Sequence, residues 1–254
     1  MKIVPPSFHC SLQTLPVYLL LVFCSCWAHA QETSDVLSEE DLFEEELDDS
    51  TLVSDPLESV NRVIFCFNDF VYTYLGEPVS DTYELLPNSA RQGVENFFDN
   101  LRFPVRLTGN LLQGRVDGAW LETRRFVVNS TAGLFGVLDL ASDADCLQKI
   151  ENEDMGQALG SWGLGEGAYL VLPFMGPSNV RDLFGLLGDR AVSPWVEPFS
   201  VLDSEERVVY SVGKGVSMLP SILELYEQMK GSAIDPYSSL KNAFTQYRRS
   251  LIEK

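Results

Sequence analysis

The chain has 254 residues, with 18 Lys and Arg against 37 Asp and Glu, a formal net charge of −19, 45% hydrophobic and 22% charged residues. That length allows one domain with a sizeable core, and the charge excludes a nucleic-acid binder, because phosphate contacts need a clustered basic face. Both histidines, His9 and His29, fall in a segment that reads as a cleaved leader, so the mature chain lacks the commonest general base and metal ligand; no catalytic residue, metal site or cofactor is expected.

Residues 1–30 read as a secretory signal peptide: Lys2, a short apolar run over 16–24, and the small-residue cleavage site Ala28-His29-Ala30. The run is too short to span a bilayer, which takes about 20 residues. Cys24 and Cys26 are alternative acylation points, Cys26 the better one because Ser25 precedes it. Residues 31–54 hold ten acids and no base; such a segment cannot bury enough apolar area to offset its ordering entropy and is expected to be a solvated, flexible tail.

From Asp55 the pattern changes to helices, and 55–254 is read as one helical domain. Asp55-Pro56-Leu57-Glu58 resembles a helix start with an acidic N-cap. Leu57, Val60, Ile64, Phe67, Val71 and Tyr74 then recur at three-to-four spacing, with further apolar residues off that stripe, so the helix is greasy around most of its girth. Such a helix is deeply buried or faces lipid. Gly76 and Pro78 are expected to end it.

Further helices are expected over 88–101, 104–113, 117–131, 154–162, 178–187, 203–230 (broken near Gly213, Gly215 and Pro220) and 235–251. The best strand signal is four residues, 169–172. Cys66 and Cys146, the cysteines left after the leader, read as small buried apolar residues, with a disulfide as the alternative. No mature segment approaches the roughly 18 consecutive apolar residues of a spanning helix. Membrane contact therefore requires helices assembled with their apolar sides outward.

Gly163, Gly165 and Gly167 alternate just before the 169–172 run. Their spacing is not that of a phosphate loop; they read either as a flexible reversal or as a hairpin whose backbone must swing or approach another surface. Arg181-Asp182 reads as a structural ion pair, with a catalytic pair as the alternative. Arg124, Arg125 and Asn129 lie on one helix and are read either as a lipid-phosphate site or as a polar stripe bonding to neighbouring loops. Ser130 and Ser161 lack a histidine base, which argues against a hydrolase.

An ordered series of motifs resembles the MlaA (VacJ) family of Gram-negative outer membranes. It runs from Asp55-Pro56-Leu57-Glu58-Ser59-Val60-Asn61-Arg62 and Phe65-Cys66-Phe67-Asn68 through Leu112-Gln113-Gly114, Asn129-Ser130-Thr131 and Asp139-Leu140-Ala141. It continues with Trp162-Gly163-Leu164-Gly165-Glu166-Gly167, Gly176-Pro177-Ser178-Asn179-Val180-Arg181-Asp182 and Asp235-Pro236-Tyr237. The resemblance implies an all-α, disc- or ring-like domain with a glycine-rich hairpin, seated in the periplasmic leaflet of the outer membrane around a polar channel. It implies transport without covalent chemistry: phospholipid is removed from the outer leaflet and handed to a periplasmic lipid carrier, beside a trimeric porin, which maintains lipid asymmetry. By position, Gly163, Gly165 and Gly167 match the loop that controls passage. The sequence departs from the pattern in its poor acylation motif, in Ala168 where proline is common, and in its long acidic segment. The alternative reading is a soluble periplasmic binding or scaffold protein.

Overall fold

The computed structural model describes residues 53–232 and 235–253. The leader over 1–30, Cys26 and the acidic stretch through residue 52 lie outside the described residues. Val53 and Ser54, assigned above to the tail, are joined to the fold: the Tyr169 N–H donates to the Ser54 carbonyl at 3.1 Å, and Val53 packs on the core cluster.

Helix α1 spans Glu58–Val71 and runs into a π-helical turn, Tyr72–Gly76, and then α2, Glu77–Glu84. The stop expected at Gly76 and Pro78 does not occur. Pro78 falls in the first turn of α2, directly after the π-helical turn, and does not interrupt the helix. Gly76 is buried against α8, where a Cβ would meet Leu223 and Leu219 at the ordinary contact distances of 3.5 and 3.6 Å. Asp55 does not cap α1; Leu57 holds the N-cap position without a side-chain bond.

Helix α3 (Asn88–Leu101) has the bounds its periodicity predicts, and α4 (Phe103–Leu112) and α5 (Val116–Thr131) lie within a residue of theirs. Two 3₁₀ turns, Leu140–Asp143 and Asp145–Leu147, lead to α6 (Met155–Ser161). Asp154 caps α6 by accepting from the Gln157 N–H at 2.8 Å.

Strand β1 (Tyr169–Leu172) is the predicted one. Its antiparallel partner β2 (Gly176–Asn179) takes up the first two residues of the helix expected over 178–187, and pairs Tyr169 with Asn179 and Leu172 with Gly176. The cap of α7 (Val180–Val192) is Asn179, accepting from the Asp182 N–H at 2.7 Å, so the helix expected from residue 178 starts two residues later. Helix α8 (Ser204–Ser232) runs unbroken through Gly213, Gly215 and Pro220, where a break was expected. Packing on α2 and α3 offsets a glycine penalty of about 1 kcal/mol per residue. Helix α9 is Pro236–Ile252, capped by Asp235.

The fold is therefore all-α with one small hairpin. Helices α6 and α7 pack most closely: a Cβ on Gly185 would lie 2.4 Å from the Gly156 nitrogen, so the crossing admits no side chain at that point. The compact apolar cluster is Tyr169, Val171 and Tyr237, edged by Ile64, Phe65 and Phe244, with the Tyr237 ring edge-on to Phe65 and Tyr169.

Candidate functional site: a polar interior beneath an apolar skin

Three of the four fully buried residues of α1, Asn61, Arg62 and Asn68, are polar; the fourth is Val63. Asn61 and Asn68 stand seven residues apart, about 10.5 Å along a helix at 1.5 Å per residue. Three residues of strand cover nearly the same distance, about 10 Å. Each asparagine bridges the strand as another strand would. Asn61 donates to the Tyr169 carbonyl at 3.0 Å and accepts from the Val171 N–H at 2.9 Å. Asn68 donates to the Leu172 carbonyl at 3.0 Å and accepts from the Phe174 N–H at 2.8 Å. One helix face thereby holds the hairpin in register. Apolar periodicity could not reveal this contact, because polar residues make it; the seven-residue spacing of the asparagines was the available signal.

A second set of charges ties the ends of the chain together. The buried Asp55 carboxylate accepts from Asn61 at 2.9 Å, from the Tyr237 hydroxyl and from Lys241 at 3.3 Å. Arg62 meets Glu58 at 2.8 Å and Asp235 at 2.7 Å, and lies 4.4 Å over the Tyr237 ring. Burial pushes the Tyr237 hydroxyl well above its ordinary value, and the bond to Asp55 adds to this. Arg248 of α9 meets Asp154 at 2.8 Å and Asp182 at 2.7 Å. Burial alone would raise the Asp154 carboxyl, but the bonds and charge of Arg248 outweigh it and hold it below the usual carboxylate range.

The three residues weighed for a lipid phosphate do not act together. Arg125 and Asn129 are buried and turned to the loop after α5. Arg125 donates to both Asp139 oxygens at 3.0 Å and to the Leu147 carbonyl; Asn129 donates to Asp139 at 2.8 Å and accepts from the Ala141 N–H at 2.9 Å. Arg124 points elsewhere, 3.5 Å from the Cys146 sulfur. No disulfide joins Cys66, which is half-buried, to Cys146, which is exposed rather than buried as expected. Arg181 and Asp182 pair at 3.1 Å, and Arg181 is buried.

The glycines divide into a free and a clamped part. Gly163 has φ +89°; its N–H bonds the Gly160 carbonyl and that of Leu164 the Leu159 carbonyl, the pattern that closes a helix with a left-handed glycine. A Cβ on Gly163 or Gly165 would meet nothing within 4 Å. Beyond them, Glu166 accepts from Arg249 at 2.6 Å, and the Glu166 and Ala168 carbonyls accept from the first N–H groups of α7. Gly167 has φ +70° and lies against Val180. All three glycines precede the hairpin, whose turn is residues 173–175.

Among the described residues, eighteen polar or charged side chains are buried against twelve apolar ones, while thirty-one large apolar side chains are exposed. They include Val208, Val209 and Val212 on α8 and, at the loop after α5, Leu134 and Phe135, the latter 76% exposed. No described helix is long and apolar enough to cross a membrane, and no described cluster of His, Cys, Asp or Glu could hold a metal ion. An exposed apolar surface of this extent marks a contact face. A helical shell with charges inside and hydrocarbon outside defines a class of protein built to be covered by lipid or by other protein.

The profile of the MlaA lipoprotein family matches residues 53–251, and the chain belongs to that family. It is 32% identical over 203 residues to the intermembrane phospholipid transport system lipoproteins MlaA of Escherichia coli (strain K12) and Shigella flexneri, covering 76% of each chain in both comparisons. A protein of Rickettsia bellii without an assigned function is 28% identical over 79% of this chain and 78% of its own. A solved structure described as the structural basis for maintenance of bacterial outer membrane lipid asymmetry matches with a TM-score of 0.66 and 28% identity, over 78% of this chain and 99% of that one.

Proposed function

We propose that this chain is the outer-membrane component of a retrograde phospholipid transport system. It sits in the periplasmic leaflet after export by its signal peptide, takes phospholipid from the outer leaflet and passes it to a periplasmic lipid carrier beside a trimeric porin. No covalent step enters this reading. The observation that carries it is the inverted distribution of polarity. Thirty-one exposed large apolar side chains give the fold a surface that hydrocarbon can cover, which suits a protein seated in the leaflet whose lipid it handles. The family relationship supports the same reading. A soluble periplasmic scaffold would leave those exposed apolar side chains in water.

The test is complementation of a Gram-negative strain lacking its own MlaA. The full chain should restore the barrier to detergent and lower the phospholipid content of the outer leaflet, and should fractionate with membranes. Replacing Val209 and Val212 together by Glu should move the protein towards the soluble fraction. A wild-type chain that stays in solution without detergent and leaves the barrier unrepaired would defeat the proposal.

A further inference from the structure

In a chain of net charge −19 carboxylates are in excess, and most described Lys and Arg side chains are ion-paired, as Arg62, Arg106, Arg125 and Arg248 are. Arg102, Arg190 and Lys214 depart from this. None of their side chains makes an ion pair or a hydrogen bond among the described residues. The three lie together: Arg102 closes α3, Arg190 is in the last turn of α7 and Lys214 is in the middle of α8, and the charges of Arg102 and Arg190 both reach Lys214. The elements are pinned at this point. Trp195, just past α7, donates its indole N–H to the Leu101 carbonyl at 2.8 Å, and a Cβ on Gly213 would lie 3.1 Å from Phe98 of α3. The Tyr210 ring packs on both, with its centroid 5.6 Å from that of Phe98 and 6.5 Å from that of Trp195.

Helix dipoles favour a cation at the ends of α3 and α7, which accounts for Arg102 and Arg190 separately but not for their meeting at Lys214. Lys214 is half-buried; burial holds its ammonium below its ordinary value, and the charge of Arg102 adds to this. The nearby carboxylate, Asp189, is turned to the Met155 N–H at 2.9 Å and pairs with none of the three. Like charges gathered without a counter-ion raise the free energy of the fold, and an anion placed among them recovers it. Two guanidinium forks and an ammonium are the donor set of a phosphate site. Apolar shoulders flank it. Leu187, one turn before Arg190, is 54% exposed, and Met218, one turn after Lys214, is 41% exposed; three- and four-residue spacing puts each on the same helix face as its cation. We infer that Arg102, Arg190 and Lys214 form a site for the phosphate of a phospholipid, one that prefers headgroups of net negative charge, with the acyl chains leaving over Leu187 and Met218. The lipid source rests on the transport reading; the phosphate chemistry does not.

The test titrates the detergent-extracted full chain with dihexanoyl phosphatidylglycerol, dihexanoyl phosphatidylethanolamine and inorganic phosphate, read by native mass spectrometry. Wild type should hold the glycerol lipid roughly tenfold more tightly than the ethanolamine lipid, whose ammonium the three cations repel. Lys214→Gln and Arg190→Gln should each weaken binding of the glycerol lipid roughly tenfold, while Arg124→Gln, which removes a charge from α5 outside the cluster, should not. Lys214→Gln also relieves the like-charge contact and should melt no lower than wild type, the pattern of a residue kept for binding rather than stability. Equal retention of the two lipids by wild type, or Lys214→Gln and Arg190→Gln that bind as wild type does, overturns the proposal. Inorganic phosphate that displaces the glycerol lipid as well as free lipid does overturns the lipid source. A wild-type chain that keeps the preference and its dependence on Lys214 but fails complementation removes the transport reading and leaves the phosphate site standing.

Discussion

Arg106 donates through Nε to Glu122 at 2.7 Å, and the two side chains are 5% and 1% exposed. Arg106 also reaches the Asp99 carbonyl at 2.7 Å and its carboxylate at 3.1 Å, so the guanidinium is held from three sides between α3, α4 and α5. In a water-soluble protein such an ion pair would be an exception within an apolar core. Here it is typical of the interior, and it fixes how α4 lies on α5.

Glu122→Ala should therefore be severe. It leaves a buried guanidinium without its closest counter-charge, at a cost of about 3–5 kcal/mol, whereas replacing both partners together by apolar residues of similar volume should cost much less. Thermal unfolding in detergent of Glu122→Ala against Arg106→Met with Glu122→Leu checks this. A single variant as stable as wild type would mean that the pair carries no packing role.

The asparagine bridge makes a local prediction. Asn61→Ala leaves the Tyr169 carbonyl and the Val171 N–H without their partner, at about 1–3 kcal/mol for each group left unsatisfied. Hydrogen exchange should accelerate at Val171 in that variant and at Phe174 in Asn68→Ala, with little change in α3. Uniform acceleration across the chain would assign the asparagines a global role instead.

These cases explain which parts of the fold were legible. The bounds of α3, the strand over 169–172 and the Asp154 and Asp235 ends of α6 and α9 follow from local signals that tertiary contacts did not override. The continuation through Gly76 and the unbroken α8 depend on neighbours, Leu219 and Leu223 for the one and α2 with α3 for the other. Strand β2 has the sequence Gly-Pro-Ser-Asn, which has no strand propensity and pairs because β1 lies beside it. The roles of Asn61, Asn68, Arg106 and Glu122 escape a reading of apolar periodicity for one shared reason: that periodicity is read from apolar residues, and in this protein polar ones make the decisive contacts.

The pH dependence should be biphasic. Burial pushes the Asp189 carboxyl up from 3.8 to about 6, against the N–H of Met155 that bonds it. Between about pH 4 and 6 the unfolded chain gives up a proton that the folded chain keeps, so stability falls as pH rises through that window. Asp154 and Asp235 titrate the other way. Burial raises each, Arg248 and Arg62 more than compensate, and both are held low, so their contribution is lost as pH falls below the usual carboxylate range. Asp189→Asn keeps an acceptor for Met155 and should stabilise the protein at pH 7 by on the order of 2 kcal/mol, with no gain at pH 4. Denaturant titrations at the two pH values decide it, and equal effects at both would refute the assignment.

The glycine segment separates conformation from motion. Gly163→Ala and Gly167→Ala place a side chain at positive φ, at about 1–2 kcal/mol each, and Gly167→Ala also presses on Val180. A Cβ at Gly165 would meet nothing within 4 Å, and Gly165→Val is expected to leave thermal stability within about 0.5 kcal/mol, the usual range for surface substitutions. The control of lipid passage that the family resemblance implies for this loop needs the chain beyond the helix-closing bonds of Gly163 and Leu164 to move, and a β-branched residue at 165 restricts the backbone there. Gly165→Val is thus expected to fold, reach the membrane and yet restore the detergent barrier of a null strain poorly, while Gly167→Ala loses stability first. Full restoration by Gly165→Val at normal abundance would show that passage does not depend on the freedom of this glycine.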